Sequence, residues 1–112
     1  METPDPSTSL TLFRGGSDLI PRLGMDVLFD RATNLLRTDR GISLFSDPAL
    51  VEQFGGAWRV NVIPEGLKAE QRGKDIRHYE LMPAVPMTFD RYVSLLAQVV
   101  LVRHRNTVDE GV

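Results

Sequence analysis

The sequence predicts an α+β domain built on a mostly antiparallel sheet, with one short helix mid-chain and one long helix near the end. Short runs of alternating apolar and polar residues recur between turns and do not alternate regularly with helices. A capping residue followed by Pro48 is typical of a helix start. Residues 89–104 carry an apolar stripe at helical spacing, which predicts the long helix.

Length and composition indicate one ordinary domain. The chain has 112 residues, of which 42% are hydrophobic and 25% are charged. This is globular usage and argues against disorder. We predict a flexible arm over residues 1–7, a single domain over residues 8–105 and a tail over residues 106–112.

Several classes of function are disfavoured by what the sequence lacks. It has no cysteine, which excludes disulfides and thiol catalysis, and its two histidines are too few for a His-rich metal site. A formal charge of −2 without a basic run gives no strong nucleic-acid signal. No apolar run could span a bilayer, and the start lacks the pattern of a signal peptide. We therefore expect a soluble, cytoplasmic protein without a membrane partner, which needs no cleaved signal if it is delivered into a target cell.

Four elements are predicted in the first half of the chain. Residues 10–13 alternate and form a strand that ends at Arg14. Two short apolar runs within 27–36 flank turn-like residues, which predicts a hairpin. Residues 42–45 form another strand, and a short helix over 48–54 ends at a pair of glycines.

Four more elements follow in the second half. Residues 58–62 alternate strictly and predict a strand. The polar segment 65–75 is interpreted as an exposed loop. A strand over 76–82 comes next, and Thr88 can cap the long helix over 89–104.

Arg14 is the first candidate binding residue, because it ends an apolar strand and precedes two glycines. A guanidinium there can bind a phosphate or a ribose through two hydrogen bonds. The glycines would let a ligand approach the backbone. The alternative is an ordinary surface arginine at a strand end.

His78 and Glu80 share one face of the predicted strand 76–82. Burying both without partners would cost on the order of 1–3 kcal/mol each, so they either pair or line a cleft. A carboxylate in a cleft can stabilise a developing positive charge or act as a base. The alternative is an ion pair between Glu80 and an arginine on a solvated face. Ser43 is a further candidate, because it lies within a strand and has no capping role.

Three strings resemble, in the same order, those of the type VI secretion effector 2 toxin family. They are TSLTLFR at 8–14, LFDRATNLLR at 28–37 and HYELMPAVPM at 78–87. The corresponding family patterns are TSLTLYR, VFDRxGxLRR and HYxxMPAxPM, of which the last is the most specific. The chain departs from the family at Asp26-Val27, where the pattern has Thr-Ser, and at Glu80, which is no family residue.

The resemblance implies an ADP-ribosyltransferase-like split β-core that clamps NAD as its substrate. It also implies a cognate immunity or antitoxin protein that keeps the toxin inactive. At matched positions, Arg14 would contact the phosphates or a ribose of NAD, with Thr11 beside it if both share a face. Tyr79 belongs to the matched HY pair. Ser43 lies in a segment similar to the serine-bearing second core strand of such transferases.

The sequence therefore predicts a bacterial toxin that cleaves NAD and transfers ADP-ribose to a cytosolic acceptor. The sequence does not identify this acceptor. The NAD-binding candidates are Arg14, Thr11, Ser43, Phe45 and Tyr79, and the catalytic candidates are His78 and Glu80. Two alternatives stay open. One is an NAD glycohydrolase that uses water as acceptor, and the other is a non-catalytic toxin or interaction module that acts by binding a target.

Overall fold

The computed structural model describes residues 10–104, which form one six-stranded sheet with every pairing antiparallel. The strand order across the sheet is β4-β5-β2-β1-β3-β6. The predicted arm over 1–7 and the predicted tail over 106–112 lie outside the described residues. The strands are β1 (Phe13–Gly15), β2 (Ile42–Phe45), β3 (Ala57–Val62), β4 (Leu67–Gln71), β5 (His78–Pro83) and β6 (Val100–Arg103).

The predicted fold class is wrong, because no long C-terminal helix exists within residues 10–104. The α-helix of this part of the chain, α1, spans only Phe89–Leu96. The apolar residues that follow it form β6, which pairs with β3. The fold is a single antiparallel sheet with one short helix and not the expected split core with a long terminal helix.

The physical reason lies in the sequence that follows α1. Val99, Val100 and Val102 are β-branched, which restricts their side-chain rotamers in a helix and favours an extended backbone. As a strand, this segment finds backbone hydrogen-bond partners on β3, where Leu101 lies opposite Val60. Helical spacing alone could not detect this competing pairing.

The predicted loop over 65–75 is also wrong, since it contains β4. Ala69 lies opposite Leu81 of β5, and Glu70 lies opposite Glu80. β4 is an edge strand that buries little besides Leu67, so its polar composition resembles that of a loop.

The strands predicted over 10–13 and 76–82 are shifted along the chain, since β1 spans Phe13–Gly15 and β5 spans His78–Pro83. Two further predicted elements are modified in type. The predicted helix over 48–54 consists of two consecutive 3-10 turns, Pro48–Leu50 and Glu52–Phe54, with Asp47 capping the first. The predicted hairpin over 27–36 is a turn closed by a single antiparallel bridge between Phe29 and Leu36. The strand predicted over 42–45 coincides with β2.

The two faces of the sheet bury different clusters. On one face, here called the helix face, α1 packs over the main core. The buried residues of this core are Leu12, Val27, Leu36, Ile42, Leu44, Leu67, Leu81, Met87, Tyr92, Leu95 and Leu96. The opposite face, here called the turn face, carries the smaller cluster of Phe13, Val51 and Ala57 beside the 3-10 turns. The turn face is therefore only partly covered by apolar packing.

Tyr92 of α1 connects the helix to two central strands. Its hydroxyl donates to the Leu81 carbonyl on β5 at 2.6 Å and accepts the Ile42 amide of β2 at 3.3 Å. Burial raises the pKa of this phenol well above its ordinary value. Because Ile42 directly precedes Ser43, Tyr92 also fixes the backbone that carries this candidate site residue.

We expect Tyr92→Phe to lower the free energy of unfolding by about 1–3 kcal/mol, because it leaves a buried amide and a buried carbonyl without this partner. Urea unfolding followed by circular dichroism measures the change. The control is Tyr79→Phe, since the half-buried Tyr79 makes no side-chain hydrogen bond within residues 10–104. Equal stability of the two variants would contradict the connecting role of Tyr92.

Candidate functional site

Arg14 bridges a gap between β1 and β2. The two strands share one register pair, Phe13 opposite Phe45. Beyond this pair, the Ser43 carbonyl accepts a hydrogen bond from Arg14 Nη1 at 3.0 Å. Arg14 Nε donates to the Asp18 carbonyl at 3.2 Å. The guanidinium thus takes the place of a backbone contact at this point of the sheet.

Arg14 keeps one end of its guanidinium available. Burial lowers the pKa of this group, and the nearby Asp26 carboxylate offsets part of the effect. Within residues 10–104, Nη2 makes no hydrogen bond, while Nε and Nη1 are both engaged. A half-buried cation with an unoccupied N–H end can bind a phosphate oxygen strongly, because partial desolvation strengthens the charge-assisted bond.

Ser43, His78 and Glu80 lie together on the turn face. The register of β2 with β5 places Ser43 opposite Glu80 and Phe45 opposite His78. Residues opposite each other point to the same face of a sheet, and so do residues two apart on one strand. The Ser43 hydroxyl is 3.0 Å from His78 Nε2. Antiparallel pairing therefore brings a hydroxyl, an imidazole and a carboxylate into one polar group.

The hydrogen bonds of His78 define its tautomer. Nδ1 lies 2.9 Å from the carbonyl oxygen of Arg72. A carbonyl oxygen can only accept, so Nδ1 must carry the hydrogen. In the neutral ring, Nε2 then has a free lone pair and accepts the hydrogen of the Ser43 hydroxyl.

The Glu80 carboxylate has one fixed oxygen and one facing the imidazole. Oε1 accepts the Gly41 amide at 3.0 Å, and Oε2 is 3.9 Å from His78 Nε2. The Glu80 and His78 side chains are 16% and 21% exposed, so small solutes can reach them. The alternative ion pair with an arginine is not formed within residues 10–104, where Arg77 pairs with Asp75.

The remaining predicted residues divide into two groups. The Phe45 ring is tilted against His78, with ring centroids 5.1 Å apart, and so lies beside the polar group of the turn face. Tyr79 lies opposite Leu44 on the helix face and packs against the main core. Thr11 precedes β1 and is exposed. The structure thus brings Phe45 to Ser43, His78 and Glu80. It separates Tyr79 and Thr11 from them, and also the side chain of Arg14, which projects to the helix face opposite Trp58.

Gly41 and Arg72 were missed by the sequence prediction. Gly41 is buried, and a Cβ added to it would overlap the Leu81 carbonyl. Only glycine therefore lets the backbone approach β5 closely enough to donate to Glu80. Arg72 supplies the carbonyl that orients His78, and its buried Nε has no partner among the described atoms. Nothing local in the sequence indicates the role of Arg72.

An apolar groove of about 420 Å³ opens on the helix face beside Arg14. Trp58, which lies opposite Arg14, forms one wall together with Leu101 of β6, and Leu96 of α1 forms another. Asp18, whose carbonyl binds Arg14, is also at its rim. The volume is within the range of small-molecule sites, and Arg14 borders the groove only through its contacts with Asp18 and Trp58.

The described part of the chain offers neither a metal site nor a membrane-spanning helix. Residues 10–104 contain no cluster of three or more His, Asp or Glu side chains that could hold a metal ion. No helix in this range is long and apolar enough to cross a bilayer.

No family model matches the sequence, and no curated protein or solved structure was found to be similar to it. The resemblance to the type VI secretion effector 2 toxins therefore stays a prediction that rests on three strings.

We expect Gly41→Ala to lower the free energy of unfolding by about 3 kcal/mol, because the methyl group would push β2 away from β5. The matched control is Gly24→Ala. Gly24 has a φ of +87° but no atom near the position of a Cβ, so this change should cost only about 1–2 kcal/mol of backbone strain. Thermal unfolding of both variants measures the difference, and a smaller loss for Gly41→Ala would contradict the close approach.

Proposed function

We propose that this protein is a bacterial toxin that cleaves NAD at the bond between nicotinamide and ribose and transfers the ADP-ribosyl group to an acceptor. The observation that carries the proposal is the position of the Glu80 carboxylate. It accepts the Gly41 amide and lies opposite Ser43 on the neighbouring strand β2. Arg14 contacts the same strand through the Ser43 carbonyl. The toxin assignment and the immunity partner are supported only by the three strings of the sequence.

The chemistry of the reaction calls for a carboxylate in this setting. When nicotinamide leaves, positive charge develops on the ribose, as in other glycosidic cleavages. Glu80 has one oxygen occupied by an amide and the other turned towards the half-buried imidazole of His78. A carboxylate positioned in this way stabilises the developing charge more strongly than it would in open water.

Arg14 is assigned to the pyrophosphate. Its Nη2, which makes no hydrogen bond within residues 10–104, can take a phosphate oxygen, while its other nitrogens stay bound to the Ser43 and Asp18 carbonyls. Arg14 and Glu80 lie on strands that flank β2, but Arg14 projects to the helix face with Trp58 and Glu80 projects to the turn face with Ser43. The assignment of Arg14 to NAD therefore rests on the sequence resemblance and on its Nη2 group, and not on a cleft shared with Glu80.

The residues beside Glu80 on the turn face would hold the reacting end. The Ser43 hydroxyl can exchange its bond with His78 for one with a ribose hydroxyl. The half-buried Phe45 ring offers an apolar surface to nicotinamide. His78, placed by the Arg72 carbonyl, can accept the proton of an attacking acceptor.

A glycohydrolase is the second candidate. The partial exposure of the His78 and Glu80 side chains means that water itself can reach the reacting carbon. In that case ADP-ribose is released free and no acceptor is modified.

We expect purified protein to release nicotinamide from NAD, and Glu80→Gln to slow this release on the order of a hundredfold. The matched control is Glu70→Gln, because Glu70 lies opposite Glu80 on β4 but is exposed. Chromatography of the products gives the rate and separates transfer from hydrolysis. No nicotinamide release by the unmodified protein, with growth arrest intact in cells, would replace the proposal with a non-catalytic module.

We expect Arg14→Lys to raise the KM for NAD about tenfold with a smaller change in kcat, because lysine keeps the charge but not the guanidinium geometry. Arg59→Lys is the control, since Arg59 is exposed on the neighbouring strand β3. Steady-state kinetics over a range of NAD concentrations gives both constants. An unchanged KM in Arg14→Lys would remove Arg14 from the binding site.

A further inference from the structure

Ser43 contacts a base through its hydroxyl as well as lying in the proposed binding site. Its hydroxyl faces the lone pair of a histidine whose other nitrogen is fixed by a backbone carbonyl, at 3.0 Å and 2.9 Å respectively. A nucleophile beside a base that is itself oriented by a third group is the arrangement that activates serine for covalent chemistry. Glu80 Oε2, 3.9 Å from the same His78 nitrogen, can balance the charge of the imidazolium that forms.

The packing around the imidazole supports this arrangement. The Phe45 ring lies against His78 with centroids 5.1 Å apart, so that ring and carbonyl together restrict its rotation. Both His78 and Ser43 are half-buried, which leaves the hydroxyl within reach of a small reagent. Ser46, one residue beyond the end of β2, is also half-buried but has no imidazole partner within residues 10–104.

We propose that Ser43 is an activated nucleophile that accepts an acyl group from an activated ester, an activity that requires no NAD. The Ser43 oxygen forms a bond to the carbonyl carbon of the ester, and its proton passes to His78 Nε2. The bond between that carbon and the leaving oxygen breaks. The leaving oxygen then takes the proton from His78, which returns to its neutral form.

The test uses the full chain and p-nitrophenyl acetate in the absence of NAD. We expect the intact protein to gain the mass of one acetyl group, with release of one p-nitrophenolate per chain before any slower turnover. Peptide mapping of the acetylated wild-type protein should place the acetyl group on Ser43. Acetylation confined to lysines or to other serines overturns the proposal, and so does the absence of any adduct.

Three variants separate activation from simple exposure. Ser43→Ala should abolish the mapped adduct, whereas Ser46→Ala should leave its rate unchanged. His78→Asn keeps an amide donor for the Arg72 carbonyl but removes the base, and it should slow acetylation on the order of a hundredfold. Acetylation of His78→Asn at the original rate would show that Ser43 is not activated. Mapping of the acetyl group on the wild-type protein decides the proposal even if a variant fails to fold.

The acyl reaction and the proposed cleavage of NAD can fail independently. Nicotinamide release without an acetyl adduct would leave only the NAD proposal. An adduct without nicotinamide release would leave a serine acyltransferase or esterase and remove the proposed NAD function.

Discussion

The pairing of β2 with β5 carries the candidate site, and Tyr92 and Gly41 hold these two strands together. The Tyr92 hydroxyl joins the Leu81 carbonyl to the Ile42 amide from within the main core. Gly41 lies against Leu81 and donates its amide to the Glu80 side chain on the other face. A slip of one residue in this pairing would send every side chain of β2 to the opposite face. Packing on the helix face therefore determines the geometry of the polar group on the turn face.

The two faces of the sheet have different roles, one stabilising the fold and the other carrying the candidate site. The helix face buries the large apolar cluster under α1, and this burial is the main stabilising term available to a chain of this size. The turn face has only three buried apolar residues in its cluster, which leaves room for Ser43, His78 and Glu80 at the surface. Arg14 lies at the gap between β1 and β2, where the Ser43 carbonyl has turned away from backbone pairing. The Arg14 guanidinium thus lies where the regular backbone pairing of β1 with β2 is interrupted.

Particular residues show how far the sequence could predict this arrangement. Alternation along residues 76–82 was enough to put His78 and Glu80 on one face, and the bounds of β2 were predictable from its flanking turns. Alternation also separated Tyr79 from His78, although the family resemblance had joined them as neighbours. The error at residues 97–104 arose because Val100 and Leu101 fit a helical stripe and a strand equally well. β4 was missed because an edge strand with charged side chains has the composition of a loop.

The sequence by itself determined β2, most of β3 and of β5, the cap of α1 and the polar residues available for chemistry. These depend on interactions between residues close together in the chain, such as the Thr88 hydroxyl accepting the Arg91 amide. Only the tertiary structure decided which of these residues meet. The contacts of Arg14 with Ser43, of Ser43 with His78 and of Glu80 with Gly41 each join residues at least 29 positions apart. The end of α1 at Leu96 was also decided by tertiary structure. The residues that follow pair with the backbone of β3, and no local pattern encodes this pairing.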